Sequence, residues 1–214
     1  PSNVLLYIFK MISNREILKY FPQPIFKYKV DNFAYFNKGL SEYIYKLNEE
    51  DKEGIIRSNK GGWHSKPFDL KDKNSIQHKF LLETTKYVFD TIKNYGWKLI
   101  PSRTIVTEMW AIINKPNDFN VIHTHPNSYL SAAYYVKTKE KCGNIKFYDP
   151  IDQKSMQSPN KNELNDLSSE VITVAPNEGD LLIFPSYFHH SVEENLSNED
   201  RIVISFNVDI HKKL

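Results

Sequence analysis

Three histidines in the second half of the chain have a spacing that suits a metal site. His123 and His125 are two residues apart, so on an extended strand both imidazoles would project to the same face and could bind one ion. His189 and His190 compete for the third position. His190 shares its strand face with the apolar Val192, which favours His190 as the inward-pointing residue. We predict a metal site of His123, His125 and His190, and imidazole suits iron, copper, nickel and zinc.

Arg201 follows the last of these histidines after ten intervening residues and could bind an anion beside the metal. On the last predicted strand, Arg201 falls on the face opposite to the apolar residues Ile202, Ile204, Phe206 and Val208. An inward-pointing arginine needs an anion, and its planar group can bind a carboxylate through two hydrogen bonds. An exposed salt bridge with the neighbouring Glu199 or Asp200 is the alternative. Tyr135 could add a phenolic donor to the same pocket or pack as a core tyrosine.

Length and composition bound the class of protein. The 214 residues are enough for one substantial core, and we expect a single domain, with residues 1–100 as a supporting region and residues 101–210 as the core. A formal charge of +2 gives no strong signal for nucleic acid. No apolar run is long enough for a membrane span. The single cysteine, Cys142, excludes a disulfide framework and fits the cytoplasm, of a bacterium or a phage-infected host cell. Nothing indicates the oligomeric state.

The first hundred residues predict mainly helices. Residues 25–30 alternate as in a half-buried strand, and a helix with an apolar face should follow Asp31 or Asn32. Residues 75–95 form the longest predicted helix, which Gly96 ends. Between the helices, Ser58–Ser65 is predicted to be a loop, with Trp63 either a core plug or a lid.

The remainder predicts a β-rich core. Eight short strands are expected at residues 103–114, 120–125, 129–137, 143–149, 169–175, 180–184, 189–194 and 201–209. Eight strands separated by turn signals indicate a double-stranded β-helix, or jelly roll, supported by the preceding helices. The polar stretch 151–166 is predicted to be a mobile excursion, either a lid or a plain surface insertion.

The motifs resemble those of the Fe(II)- and 2-oxoglutarate-dependent dioxygenases, in particular the prolyl-hydroxylase-like branch and a family known from marine bacteria and phages. The similarity covers about residues 58–209. The segments that carry it are Gly61–Ser65, His123–Ser128, Leu130–Val136, Gly143–Pro150, Phe184–Val192 and Arg201–Asn207.

The resemblance implies residue roles. His123 and His190 match the two iron-binding histidines, Arg201 matches the residue that binds the distal carboxylate of 2-oxoglutarate, and Tyr135 and Ser205 match positions that add donors to it. His125 departs from the pattern, because most members have a carboxylate there. Val203 also departs, because many relatives have a serine there, and Ser205 could replace it.

The expected function is that of a dioxygenase that uses Fe(II), 2-oxoglutarate and O2 to hydroxylate a C–H bond of a small molecule or, following the resemblance, of a peptidyl residue. Two alternatives remain open. One is a three-histidine, cupin-like dioxygenase that binds its substrate directly and does not use 2-oxoglutarate. The other is a non-catalytic jelly roll that binds a metal or ligand.

Overall fold

The computed structural model describes residues 16–19, 21–101, 104–151, 156 and 159–210. Within these ranges the chain forms two long helices and a set of mostly short strands. In chain order they are β1 (Phe26–Lys29), α1 (Phe33–Glu50), β2 (Asn59–Lys60), β3 (Trp63–His64), α2 (Ile76–Asn94), β4 (Thr104–Asn114), β5 (Phe119–His123), β6 (Leu130–Lys137), β7 (Ile145–Tyr148), β8 (Val171–Val174), β9 (Asp180–Pro185), β10 (His190–Val192) and β11 (Arg201–Ile210).

The described strands pair antiparallel in two sheets. The larger sheet has the order β1-β9-β6-β11-β4-β3, and the smaller one has the order β2-β5-β10-β7-β8. This arrangement confirms the predicted double-stranded β-helix with helices beside it. The strands of the supporting region take part in both sheets, since β1 and β3 extend the larger sheet and β2 extends the smaller one.

The two helices begin in different ways. Ser75 caps α2, with its hydroxyl accepting a hydrogen bond from the backbone N–H of His78. After α2, Gly96 has a φ of 67°, a left-handed conformation that glycine adopts without strain. At α1, Asn32 occupies the cap position in a left-handed conformation and makes no side-chain cap bond. Helix α1 therefore forms without a side-chain capping bond, and the burial of its apolar face stabilises it.

Strand β11 separates two apolar cores. Its residues Ile202, Ile204, Phe206 and Val208 pack against the helices, together with Leu40, Ile44 and Phe80. Val203, on the opposite face, packs between the sheets with Tyr135, Phe147 and Phe184. The alternation predicted for this strand is confirmed, and it directs Arg201 into the space between the two sheets.

The segment 58–65 differs from the predicted loop, because it contains the two short strands β2 and β3. Each has only two residues, which is too short for an alternating pattern to be recognised. Trp63 is the core plug rather than a lid: it is buried beside the helices, and its indole N–H donates to the backbone carbonyl of Asp51 over 2.7 Å.

Two other predictions fall partly outside the described residues. The strand predicted at 103–114 begins at residue 103, which lies outside the described residues. The predicted excursion at 151–166 includes residues 152–158, most of which also lie outside them. Whether the stretch 151–166 acts as a lid stays a prediction. Neither of the described helices is long and apolar enough to cross a bilayer.

Candidate active site

Three histidines meet between the sheets. His123 ends β5 and lies directly opposite His190, the first residue of β10, in the antiparallel ladder. The ring centroids of these two residues are 4.2 Å apart, and the His125 ring is 5.2 Å from His123 and 5.1 Å from His190. One ring nitrogen of each lies within 4.8 Å of the others. The structure thus brings the three predicted residues together.

His125 reaches this cluster by a different route from the one predicted. Strand β5 ends at His123, so the same-face rule for an extended strand does not place His125. Instead, its backbone N–H donates to Ser186 over 3.0 Å, and its Nδ1 lies 2.7 Å from Oδ1 of Asn207 on β11. Asn207 is itself fixed by a 2.9 Å hydrogen bond from the hydroxyl of Ser131. Long-range hydrogen bonds, rather than strand periodicity, orient this imidazole.

Each of the three imidazoles uses Nδ1 for a hydrogen bond. Nδ1 of His123 faces the carbonyl of Val121 at 2.8 Å, and Nδ1 of His190 faces that of Phe188 at 2.9 Å. A carbonyl oxygen only accepts, so Nδ1 carries the proton and Nε2 keeps the lone pair that a metal needs. Such fixed partners are typical of histidines that bind metals.

Burial keeps the three imidazoles neutral. Loss of solvent lowers the pKa of His123 to about 4. It lowers the pKa of His190 to about 3, and the neighbouring His123 lowers the pKa of His190 further. Loss of solvent also lowers the pKa of His125. Because protons do not compete for these nitrogens near neutral pH, the cluster is prepared to bind a cation.

Arg201 is completely buried and only partly satisfied. Its Nη1 donates to the backbone carbonyls of Cys142, Gly143 and Glu193, the last two at 3.3 and 3.1 Å. Among the described residues, nothing accepts a hydrogen bond from its Nε or Nη2. Burial lowers the pKa of the guanidinium, but arginine remains charged in proteins. Two free N–H groups on a buried cation fit a carboxylate.

The alternative of an exposed salt bridge for Arg201 is wrong. Glu199 pairs instead with Lys137 and Lys139, at 3.2 and 3.0 Å. Asp200 accepts a hydrogen bond of 2.9 Å from the hydroxyl of Tyr45. Among the described residues, no carboxylate forms an ion pair with Arg201.

A cavity of about 510 Å³ joins the histidines to Arg201. Tyr135 and Ser205 also line it. Tyr135 is fully buried, and loss of solvent raises its pKa, so it stays a phenol that can donate. Tyr135 pairs with Val203 in the β6–β11 ladder, next to Arg201. Ser205 is four residues along β11 from Arg201, roughly 13 Å at the rise of a strand, and lies toward the histidine end.

Strand β4 supplies cavity residues that sequence reasoning missed. Glu108, Trp110, Ile112 and Asn114 all line the cavity, and they stand opposite Asn207, Ser205, Val203 and Arg201 of β11. These residues alternate along β4, and this pattern could have indicated that they share one face of the strand. The pairing of β4 with β11 could not be read from the sequence. His64 was missed as well: it lines the cavity and stacks on Trp110 with ring centroids 5.6 Å apart.

The sequence from 108 to 207 matches a protein family described as "Putative 2OG-Fe(II) oxygenase". This matched part, somewhat less than half of the chain, is similar to the 2OG-Fe(II) oxygenases. The match spans β4 to β11, including all three histidines of the cluster and Arg201. The family uses Fe(II), 2-oxoglutarate and O2, so this oxygenase is an enzyme of that class. No curated protein matches the chain in sequence.

Solved structures share the fold at low sequence identity. A prolyl-4-hydroxylase from Pseudomonas putida has a TM-score of 0.65 and 12% identity over 89% of this chain and 94% of its own. HygX from Streptomyces hygroscopicus, with nickel and 2-oxoglutarate bound, has a TM-score of 0.61 and 11% identity, covering 95% and 85%. A prolyl hydroxylase from Trichoplax adhaerens, in complex with a peptide fragment of hypoxia inducible factor, has a TM-score of 0.59 and 10% identity, covering 87% and 83%.

The residues of this oxygenase fit the groups that its family uses. Three neutral imidazoles with a lone pair on Nε2 suit Fe(II), although the same donors also suit zinc, copper and nickel. Nε2 of His123 lies 3.4 Å from the hydroxyl of Ser58, a long contact that a metal ion would replace. The two unpartnered N–H groups of Arg201 suit the distal carboxylate of 2-oxoglutarate. Both sets of donors open into one cavity.

Proposed function

We propose that this oxygenase holds Fe(II) through His123, His125 and His190, holds 2-oxoglutarate against Arg201, and hydroxylates a C–H bond of a peptidyl residue. One observation carries the proposal: a single cavity has three metal-competent imidazoles at one end and a buried arginine with two free N–H groups at the other. When bound, iron and 2-oxoglutarate would activate O2, with one oxygen atom passing to the substrate C–H bond and the other to the succinate that forms from 2-oxoglutarate as CO2 leaves.

The protein contributes orientation and a dry environment. Arg201 fixes the far end of the oxoacid, and the fixed direction of its guanidinium determines which way the molecule points. Tyr135 offers a phenolic donor beside it. Val203, Ile145 and Phe184 line the cavity between the two ends and exclude water there. The resemblance gave Ser205 a role as a further donor to the distal carboxylate, but Ser205 lies four residues along β11 from Arg201, opposite Trp110. We therefore propose that it contacts the co-substrate or the substrate nearer the histidines.

The neutral third ligand changes the charge of the site. A histidine in place of the usual carboxylate leaves bound Fe(II) with one more unit of positive charge, which strengthens the attraction for an anionic co-substrate. Asn207 supports this arrangement, because its amide oxygen accepts from Nδ1 of His125. We therefore propose that His125 is a true ligand.

The peptidyl substrate is the finer part of the proposal. Its support is the fold shared with two prolyl hydroxylases, one of them solved with a peptide fragment. The cavity has the size of a pocket that holds a whole small ligand, so a single side chain could enter beside the oxoacid. Proline-containing peptides and free amino acids should be compared by mass spectrometry. A gain of one oxygen atom only in free amino acids would move the assignment to small molecules.

Metal loading tests the first part of the proposal. His123→Ala and His190→Ala should each abolish the binding of one Fe(II) per chain, because each removes one of the three imidazoles that converge on the site. His78→Ala is the matched control, since His78 is a partly buried histidine on α2 whose Nδ1 faces the carbonyl of Leu70. Equal iron content in all four proteins, measured by elemental analysis, would exclude the histidine cluster as the metal site.

A further inference from the structure

Asn114 lies directly opposite Arg201 in the ladder between β4 and β11. Residues that face each other in an antiparallel pair project to the same side of the sheet, and both line the cavity. Asn114 is 1% exposed, and in the described part of the chain its Nδ2 has no hydrogen-bond partner. With Nε and Nη2 of Arg201, three unpartnered N–H donors therefore occur at one end of the cavity.

Two glycines leave room for the side chains of Asn114 and Arg201. A Cβ at Gly62 would lie 2.6 Å from Nδ2 of Asn114, and a Cβ at Gly143 would lie 2.5 Å from Nη1 of Arg201. The backbone of Asn114 is firmly held, because its carbonyl accepts from the side chain of the buried Asn195 over 2.9 Å. The strand is thus held at Asn114, while the side-chain nitrogen has no acceptor among the described residues.

A buried amide N–H without an acceptor is costly, and native proteins rarely leave one so. A carboxylate offers two oxygens with about four lone-pair sites, enough to accept from all three donors. We propose that Asn114 is a further binding residue for the co-substrate, with its Nδ2 donating to the same distal carboxylate that Arg201 binds. This inference rests on the proposed use of 2-oxoglutarate and adds a second contact to that carboxylate.

Together, Asn114 and Arg201 should make the site selective for 2-oxoacids with a second carboxylate. A 2-oxoacid that ends in a methyl group would leave three buried donors unpaired, whereas 2-oxoglutarate satisfies them. Removing Asn114 should therefore weaken binding of 2-oxoglutarate and should not weaken binding of 2-oxopentanoate, which has the same chain length without the distal carboxylate. A merely structural role would not produce this difference.

The experiment is isothermal titration of the Fe(II)-loaded full chain with each of the two oxoacids in the absence of oxygen. Asn114→Ala should weaken binding of 2-oxoglutarate about 10-fold or more, because a hydrogen bond to a charged group is lost. Asn114→Asp has the same shape but places an anion opposite Arg201, so it should weaken binding at least about 100-fold. In both variants the affinity for 2-oxopentanoate should stay within about threefold of wild type.

Asn37→Ala is the matched control. Asn37 is also a buried asparagine with an unpartnered Nδ2, but it lies on α1 and accepts from the hydroxyl of Tyr134 over 2.5 Å, on the helix side of the sheet. The Asn37→Ala variant should bind 2-oxoglutarate like wild type. Unchanged binding in both Asn114 variants, or equal weakening for both oxoacids, would overturn the role of Asn114. Absence of 2-oxoglutarate binding by wild type would instead overturn the proposed function itself.

Discussion

At the scale of single residues, two substitutions test the proposed role of His125 as the third metal ligand. His125→Asp should still bind Fe(II), because it restores the carboxylate that the resemblance leads one to expect. His125→Ala should bind Fe(II) more weakly, since one of three ligands is lost. Titration with iron under anaerobic conditions gives both affinities. Indistinguishable values for wild type and the alanine variant would show that His125 is not a ligand.

The same histidines predict how the stability of the metal-free protein depends on pH. The pKa values of His123 and His190, about 4 and about 3 in the folded state, lie below the value of about 6.5 for an unfolded chain. The unfolded state therefore takes up protons first, and stability should be complete above about pH 6.5 and fall as the pH drops toward 4. Each histidine contributes up to about 1.4 kcal/mol per pH unit.

Chemical denaturation of the metal-free protein at pH 7.5, 6 and 5 measures this dependence. A variant in which His123 and His190 are both replaced by glutamine should show a flatter profile, because two of the groups that titrate are gone. A free energy of unfolding that is the same at pH 7.5 and pH 5 in the wild-type protein would contradict the burial of these imidazoles.

At the scale of elements, the turn before β7 supports Arg201. Gly143 has a φ of 88°, and a Cβ there would lie 2.4 Å from the carbonyl oxygen of Glu193 and 2.5 Å from Nη1 of Arg201. Gly143→Ala should therefore lower the thermal midpoint and weaken 2-oxoglutarate binding about 10-fold or more, since the guanidinium must move.

Gly96→Ala is the control for backbone strain alone. Gly96 also has a positive φ, 67°, but no atom of the described residues lies within 4 Å of a Cβ built there. The Gly96→Ala variant should lose about 1 kcal/mol of stability and bind 2-oxoglutarate like wild type. Thermal unfolding and anaerobic titration of both variants give the comparison. Equal effects of the two substitutions on 2-oxoglutarate binding would show that Gly143 does not position Arg201.

The elements themselves were largely predictable. The eight strands of the core are short segments bounded by turn residues, some alternating and others, such as β6 and β9, buried along almost their whole length. Helix α2 has an apolar face and recognisable start and stop residues, so local chemistry determined these elements. The short strands β2 and β3 were not predictable, because pairing with distant strands, rather than local pattern, makes them strands. For the same reason the end of β5 at His123 was missed, although His125 still reaches the cluster.

At the scale of the whole molecule, the larger sheet separates two environments. Its helix side is an apolar core, and its other side carries the cavity with the histidines and Arg201. We propose that the chain folds as one domain, because strands from the first hundred residues extend both sheets. The boundary near residue 100 expected from the sequence then marks a change of composition rather than a division of the fold.

The sequence could predict most of the candidate site but not its full lining. Arg201 and the histidines have distinctive types and spacing, so they could be named in advance. Asn114 and Trp110 could not, because their place in the cavity depends on the register between β4 and β11. Register is set by packing across the whole sheet, and no short segment encodes it.

The most direct test of the central claim is titration of the Fe(II)-loaded protein with 2-oxoglutarate in the absence of oxygen, for wild type and Arg201→Ala. Wild type should bind and develop the weak visible charge-transfer band of the chelate. Arg201→Ala should bind about 100-fold more weakly or worse with unchanged iron content, because two charge-assisted hydrogen bonds are lost. Arg201→Lys should recover only part of the affinity, since an ammonium has no planar fork. No binding by wild type, or equal binding by wild type and Arg201→Ala, would contradict the account.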